Sequence, residues 1–122
     1  MDYEFKKNTL DGQYYALFSM GHEALGRWLV EEVNQDFDKI SAILLAIPTI
    51  SQKVNGVRWL GHELTLVLQG DEALVQANHL FSDSDDELEA DLHLYEDESV
   101  ALCGLDDFEQ VLLAWKSFIE RF

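Results

Sequence analysis

Two copies of one tripeptide, Gly21-His22-Glu23 and Gly61-His62-Glu63, hold the residue types best suited to chemistry in this chain. Imidazole and carboxylate together are the usual means of general acid–base work and of metal binding. The spacing argues against the best-known metal motif. A His-Glu-x-x-His helix needs a second imidazole four residues after the first, and those positions hold Gly26 and Leu66. The chain has no serine nucleophile elbow and no glycine-rich phosphate loop. Turn and capping roles are therefore expected for both copies. A small enzyme or metal-dependent protein that gathers His22, Glu23, His62 and Glu63 into one site is the alternative, and it requires the two segments to meet.

Two further candidates carry less. A calcium loop started at Asp85 would place Asp85, Glu87, Glu89 and Glu96 at ligand positions, but Ala90 stands where the sharp turn needs glycine. A start at Asp83 fails as well, with Leu88 and Leu94 at the glycine and final-ligand positions. Diffuse screening by magnesium or calcium is expected there, with no metal cage and no cofactor. Cys103 is the single cysteine, so no intramolecular disulfide forms. It precedes the last helix, where the dipole would favour thiolate but Asp106 and Asp107 oppose it, and a small buried residue is expected. His79 and His93 stand alone.

The elements that must position these residues follow from hydrophobic period and turn chemistry. Tyr3 and Phe5 alternate with charged neighbours, and Asp11-Gly12 precedes an alternating run through Met20, which predicts a β-hairpin over about 2–20. Leu25, Trp28, Leu29 and Val33 recur at helical spacing. Phe37, Ile40, Ile43, Leu44 and Ile47 form a second such set, with Asp36 or Asp38 available as an N-cap and Pro48 opposing continuation. One bent helix and two separate helices both satisfy this pattern. Asn55-Gly56 marks a turn. Leu64, Leu66 and Leu68, then Gly70-Asp71, then Ala73 to Ala77 predict a second hairpin with largely buried strands. In the acidic segment, Leu88, Ala90, Leu92 and Leu94 alternate as an edge strand would, with a helix as the alternative. Phe108, Val111, Leu112, Trp115, Phe118, Ile119 and Phe122 predict an amphipathic C-terminal helix over about 106–121, with Asp106 and Glu109 spaced for a variant capping box. This stripe is expected to be core, a homodimer seam being the other use. The fold class is α+β: a mainly antiparallel sheet from two β-hairpins, with two or three helices packed on one face, in a single domain over 1–122.

Charge sets the limits on function. Of 24 carboxylates and 8 Lys and Arg residues, 15 carboxylates and no base lie between Trp59 and Trp115. Residues 59–115 thus hold −15 of the total −16. Such a half-molecule repels nucleic acid and anionic lipid and attracts basic surfaces or divalent cations. The apolar content of 48% and three Trp indicate a packed core and not disorder. The opening residues lack the apolar region of a signal peptide. The longest apolar run, 42–48, falls far short of the roughly 20 residues that a membrane span needs. A cytoplasmic location is expected.

An ordered series of short segments adds a resemblance: Met1-Asp2-Tyr3-Glu4-Phe5, Ser19-Met20-Gly21-His22-Glu23 with Gly26 and Trp28, Glu31-Glu32, Gly61-His62-Glu63, Ala77-Asn78, and Leu102-Cys103-Gly104 with Asp107-Phe108. Together they resemble the YacL-like family of small acidic bacterial proteins. The match runs over nearly the whole chain and is weakest over 48–58. It implies a bacterial cytosolic protein and transfers no catalytic or ligand residues.

The expected function is therefore a non-enzymatic interaction or regulatory protein. Its acidic face comprises Asp83, Asp85, Asp86, Glu87, Glu89, Asp91, Glu96, Asp97 and Glu98, extended by Asp106, Asp107 and Glu109. The expected partner is a basic protein surface, as on nucleic-acid-binding proteins of the transcription or translation machinery, without direct contact to nucleic acid or membrane. Homo-oligomerisation, with the acidic run serving solubility alone, is the plainer reading.

Overall fold

A computed structural model of the chain describes residues 2–19, 21–78 and 99–122. The acidic run from Asp83 to Glu98, and with it the choice between edge strand and helix over 88–94, lies outside the described residues.

The first hairpin forms as its alternation requires. Strands β1 (Tyr3–Lys7) and β2 (Tyr14–Phe18) pair antiparallel, Phe5 opposite Ala16. Gly12 takes φ +71° in the turn, a left-handed conformation that glycine adopts without steric cost. Helix α1 (Glu23–Trp28) runs straight into a π-helical turn, Leu29–Val33. The chain then breaks at Asn34, whose φ is +43°, and α2 (Phe37–Ala46) starts afresh with the Asp36 carboxylate accepting from the Lys39 N–H at 3.0 Å. Two helices, and not one bent helix, carry the two apolar sets. Pro48 falls in the 3₁₀ turn Ile47–Gln52, so the α-helix ends where a missing N–H would break its ladder.

Strands β3 (Val57–Trp59), β4 (Leu64–Gln69), β5 (Glu72–Ala77) and β6 (Val100–Gly104) build a second sheet in that order, antiparallel throughout. The expected hairpin is its centre, β4 and β5, turning at Gly70-Asp71. The two hairpins thus belong to separate sheets, and β3 and β6 are strands that alternation did not announce. The final helix, α3 (Leu105–Arg121), begins directly after β6. Its N-cap is Gly104, without a side-chain cap, and the Leu105 N–H donates to the Asp71 carbonyl at 2.8 Å. The Asp106–Glu109 capping box does not form because the helix starts two residues too early for Asp106 to stand at the cap.

Registry places Leu64, Leu66, Leu68, Ala73, Val75, Ala77 and Ala101 on one face of the larger sheet, all buried. Helices α1 and α3 lie against β5 and β6 on this face. Their largest side chains, Trp28, Phe108, Leu112 and Trp115, are fully buried in the same core as the small Ala73, Ala77 and Ala101 of the strands. Large groups from the helices thus fill what small strand residues leave open, as close packing demands. The first hairpin joins through aromatic contacts: Phe5 meets Trp115 edge-on at 5.0 Å and 82°, and Tyr14 meets Phe118 at 5.8 Å and 77°. The buried Trp115 indole N–H donates to the Asn34 carbonyl at 2.9 Å. The α3 stripe is therefore core over Phe108–Ile119, and only Phe122 at its end is largely exposed.

Candidate functional site

The second Gly-His-Glu copy forms the connection from β3 to β4, and it is held from two sides. Glu32, in the π-helical turn, directs its carboxylate at three successive backbone N–H groups. One oxygen accepts from His62 at 2.9 Å, the other from Glu63 at 2.8 Å and Leu64 at 3.0 Å. From the other side Asn78, after β5, donates to the carbonyls of Gly61 at 2.9 Å and His62 at 3.1 Å, and its own N–H donates to the Glu63 carbonyl at 2.8 Å. The buried Thr65 hydroxyl donates to the Asn78 side-chain oxygen at 2.6 Å, which fixes the amide's orientation. A methyl group on Gly61 would collide with the Leu64 carbonyl and the Glu32 carboxylate, so only glycine lets the acid approach so closely.

Burial of Glu32 opposes its ionisation, but the three N–H donors and the nearby His62 outweigh it and hold the carboxyl below its ordinary range. A row of backbone N–H groups is an anion-binding concavity of the kind that holds phosphates elsewhere, and here the chain's own carboxylate fills it.

A polar cleft of about 450 Å³ opens beside this loop, lined by Glu31, Asp36, Lys39, Leu60 and His62 with Glu32 and Gly61. Its charged groups are partly committed: Asp36 caps α2, the Lys39 ammonium donates to the Glu32 carbonyl, and Glu31 lies 3.5 Å from Arg27.

The first Gly-His-Glu copy is a helix entry. Gly21 takes φ +96°, and its N–H donates to the Glu23 carboxylate at 2.9 Å. The His22 N–H donates to the Ser19 carbonyl and its carbonyl accepts from Leu25, while its buried Nδ1 has no partner among the described residues. Glu23 also borders a groove of about 410 Å³ between β2 and α1, shared with Tyr15, Leu17, Arg27 and Val30. Among the described residues no hydrogen bond, ion pair or cavity joins His22 or Glu23 to His62 or Glu63. Nor does any group of three or more His, Cys, Asp or Glu side chains there form a metal-holding arrangement.

Of the acidic surface, the part on α3 is described. Asp106 and Asp107 share a recess of about 380 Å³ with Asp71, Gly104 and Leu105, between the β4–β5 turn and the start of α3. Three acidic residues from two elements distant in sequence thus line one recess. Cys103, half-buried in β6, has its thiol pushed up to about 11, first by burial and then by the charge of Asp107. It is a thiol and not a thiolate at neutral pH.

Sequence reasoning met Glu32 only as one of the positions that carry the resemblance and gave it no role. Its partners lie about thirty residues onward, and no local spacing announces such a contact. Asn78 likewise entered only through the resemblance, since its role depends on β5 ending beside the 61–63 loop.

Among the described residues no helix is long and apolar enough to cross a membrane. The chain is 50% identical to the UPF0231 protein of Aliivibrio salmonicida (strain LFI1238) and 52% identical to that of Aliivibrio fischeri (strain MJ11), each over all of both chains. It is 45% identical to the UPF0231 protein of Vibrio cholerae (strain ATCC 39541), over 99% of this chain and 97% of that one. No solved structure matches it. Over residues 1–119 it matches the Uncharacterised protein family (UPF0231), and with these relatives the chain belongs to that bacterial family.

Proposed function

We propose that this protein is a cytoplasmic, non-enzymatic interaction protein whose acidic half docks on a basic protein surface, such as those of the transcription or translation machinery. We also take its family to be the YacL-like proteins that the sequence resembles. The observation that carries the reading is the charge segregation: 15 carboxylates and no Lys or Arg between Trp59 and Trp115. Scattered charge would serve solubility equally well, while like charges held together cost stability through self-repulsion. The recess that Asp71, Asp106 and Asp107 line together supports it, since clustered carboxylates suit Lys and Arg side chains. The proposed contact residues are Asp83, Asp85, Asp86, Glu87, Glu89, Asp91, Glu96, Asp97 and Glu98.

Affinity capture from nuclease-treated bacterial lysate tests it, with a bait reversed in charge at Asp85, Asp86, Glu87 and Glu89 as the control. A defined basic partner should be held by the native chain at low salt, released as screening rises, and lost by the reversed bait. Equal capture by both baits, or indifference to salt, refutes the reading.

A further inference from the structure

Four asparagines occur in the chain, and three have their side chains engaged. Asn8 accepts the Leu10 N–H on its side-chain oxygen at 2.8 Å, and Asn34 donates its amide to the Val30 carbonyl at 3.0 Å. Asn78 is held by Thr65, Gly61 and His62. Each of these three precedes a residue with a side chain, Thr9, Gln35 or His79. Asn55 differs on both counts. It is exposed, in the stretch between the 3₁₀ turn and β3, beside Val54 at 89% exposure, and the next residue is Gly56.

The fold requires that glycine. Gly56 takes φ +72°, and a methyl on it would collide with the Leu68 carbonyl and the Gln69 side chain where the chain turns onto β4. A residue with no side chain also leaves its backbone nitrogen unshielded. The turn therefore sets an accessible nitrogen directly after an exposed side-chain amide. The comparable pair, Asp11-Gly12, is tied down. Its Gly12 N–H donates to the Asn8 carbonyl at 2.8 Å, and the Asp11 carboxylate accepts from the Gln13 N–H and the Tyr15 hydroxyl. A carboxylate is also a far poorer electrophile than an amide.

We infer that Asn55 is a site of spontaneous covalent modification, closing on the Gly56 nitrogen and reopening as isoaspartate, which loosens β3 from β4. Hydroxide takes the Gly56 amide proton, the nitrogen bonds to Asn55 Cγ, and the Cγ–Nδ2 bond breaks with release of ammonia. Water then opens the cyclic imide. Cleavage between the nitrogen and the Asn55 main-chain carbonyl carbon gives isoaspartate, and cleavage at Cγ gives ordinary aspartate. Isoaspartate routes the backbone through Cβ and Cγ, so the chain gains an atom and a negative charge. That atom enters where Gly56 already presses on Leu68. Strand β3 is only three residues long, pairing Val57 with Leu68 and Trp59 with Leu66, so a shift at its entry reaches all of it. The change runs one way and accumulates with the age of the chain.

The test incubates the full chain at mildly alkaline pH and digests it with trypsin, beside an unaged sample treated alike. Cutting after Lys53 and Arg58 releases 54–58 intact. This peptide should gain the mass difference between NH₂ and OH several-fold sooner than the peptides carrying Asn8 and Asn34, at a rate that rises with hydroxide. Electron-transfer fragmentation should show isoaspartate. Amide exchange in the aged chain should accelerate at 57–59 and stay slow at 73–76. Asn55→Gln, at an exposed position, should abolish the early mass shift. Freshly prepared Asn55→Asp, which has the charge without the extra atom, should keep the exchange of the unaged chain at 57–59. Modification of Asn55 no sooner than that of Asn8 or Asn34 overturns the site, and aspartate without isoaspartate overturns the product. Unchanged exchange at 57–59 in the isoaspartyl chain, or equal acceleration in Asn55→Asp, overturns the loosening of β3 by the longer backbone.

Discussion

Replacing Glu32 by alanine removes the acceptor of three consecutive N–H groups at once, and the cost follows from where each one lies. The Leu64 N–H is partly buried, so losing its partner carries a desolvation penalty of about 1–3 kcal/mol. The His62 and Glu63 N–H groups are exposed, where water takes over, and each contributes only about 0.5 kcal/mol. The expected loss is about 2–4 kcal/mol, a large fraction of the stability of an ordinary domain. Urea denaturation at pH 7 should show a lower midpoint with an unchanged slope. Amide exchange at residues 62–64 should accelerate more than exchange at 74–76 in the sheet centre. Glu32→Gln retains one acceptor oxygen and should fall between alanine and wild type. The pH dependence has a defined sign. Glu32 has a folded-state value below its ordinary 4.5, so its stabilisation is present above that value and is lost as pH falls through the folded one. The gap between wild type and Glu32→Gln should therefore close in acid. A midpoint within about 0.5 kcal/mol of wild type for Glu32→Ala, the scatter of ordinary surface substitutions, together with unchanged exchange at 62–64, would refute the role assigned to Glu32.

Gly61→Ala forces a methyl against the Glu32 carboxylate and should cost about 1–3 kcal/mol by the same denaturation assay, with less effect in a Glu32→Ala background because the two changes share one contact. Trp115→Phe leaves the Asn34 carbonyl without its donor and opens space beside Phe5, for an expected loss of about 2–4 kcal/mol and a changed near-ultraviolet aromatic signal. Asp36→Ala removes the α2 cap and should cost about 1 kcal/mol. Cys103 should react with a disulfide reagent far more slowly in the folded chain than in denaturant at pH 7.5, its rate climbing as pH approaches about 11, and Asp107→Asn should speed it; equal folded and denatured rates would contradict its burial.

Local chemistry made several elements legible in the sequence. The Asp11-Gly12 and Gly70-Asp71 turns declared both hairpins because a left-handed turn residue between alternating runs has few other uses. The seven-residue stripe of α3 declared its buried face for the same reason of period. The sequence by itself also determined the charge map, with 15 carboxylates and no Lys or Arg between Trp59 and Trp115. What it left open were the features that depend on a neighbour remote in the chain. The break at Asn34 is held by the Trp115 indole, 81 residues onward. Strand β6 is too short and too apolar to show alternation, and it exists as a strand because β5 offers it a ladder. The Asp106–Glu109 box had the right spacing, yet the Asp71 carbonyl captured the Leu105 N–H and started the helix earlier. Gly-His-Glu showed most clearly how composition and position part company. The sequence supplied two identical tripeptides with the means for chemistry, and tertiary structure gave one to a helix entry and the other to a loop held by Glu32 and Asn78. Turns and helical stripes are written in residues a few positions apart, whereas a carboxylate's partners are chosen by how the whole chain packs.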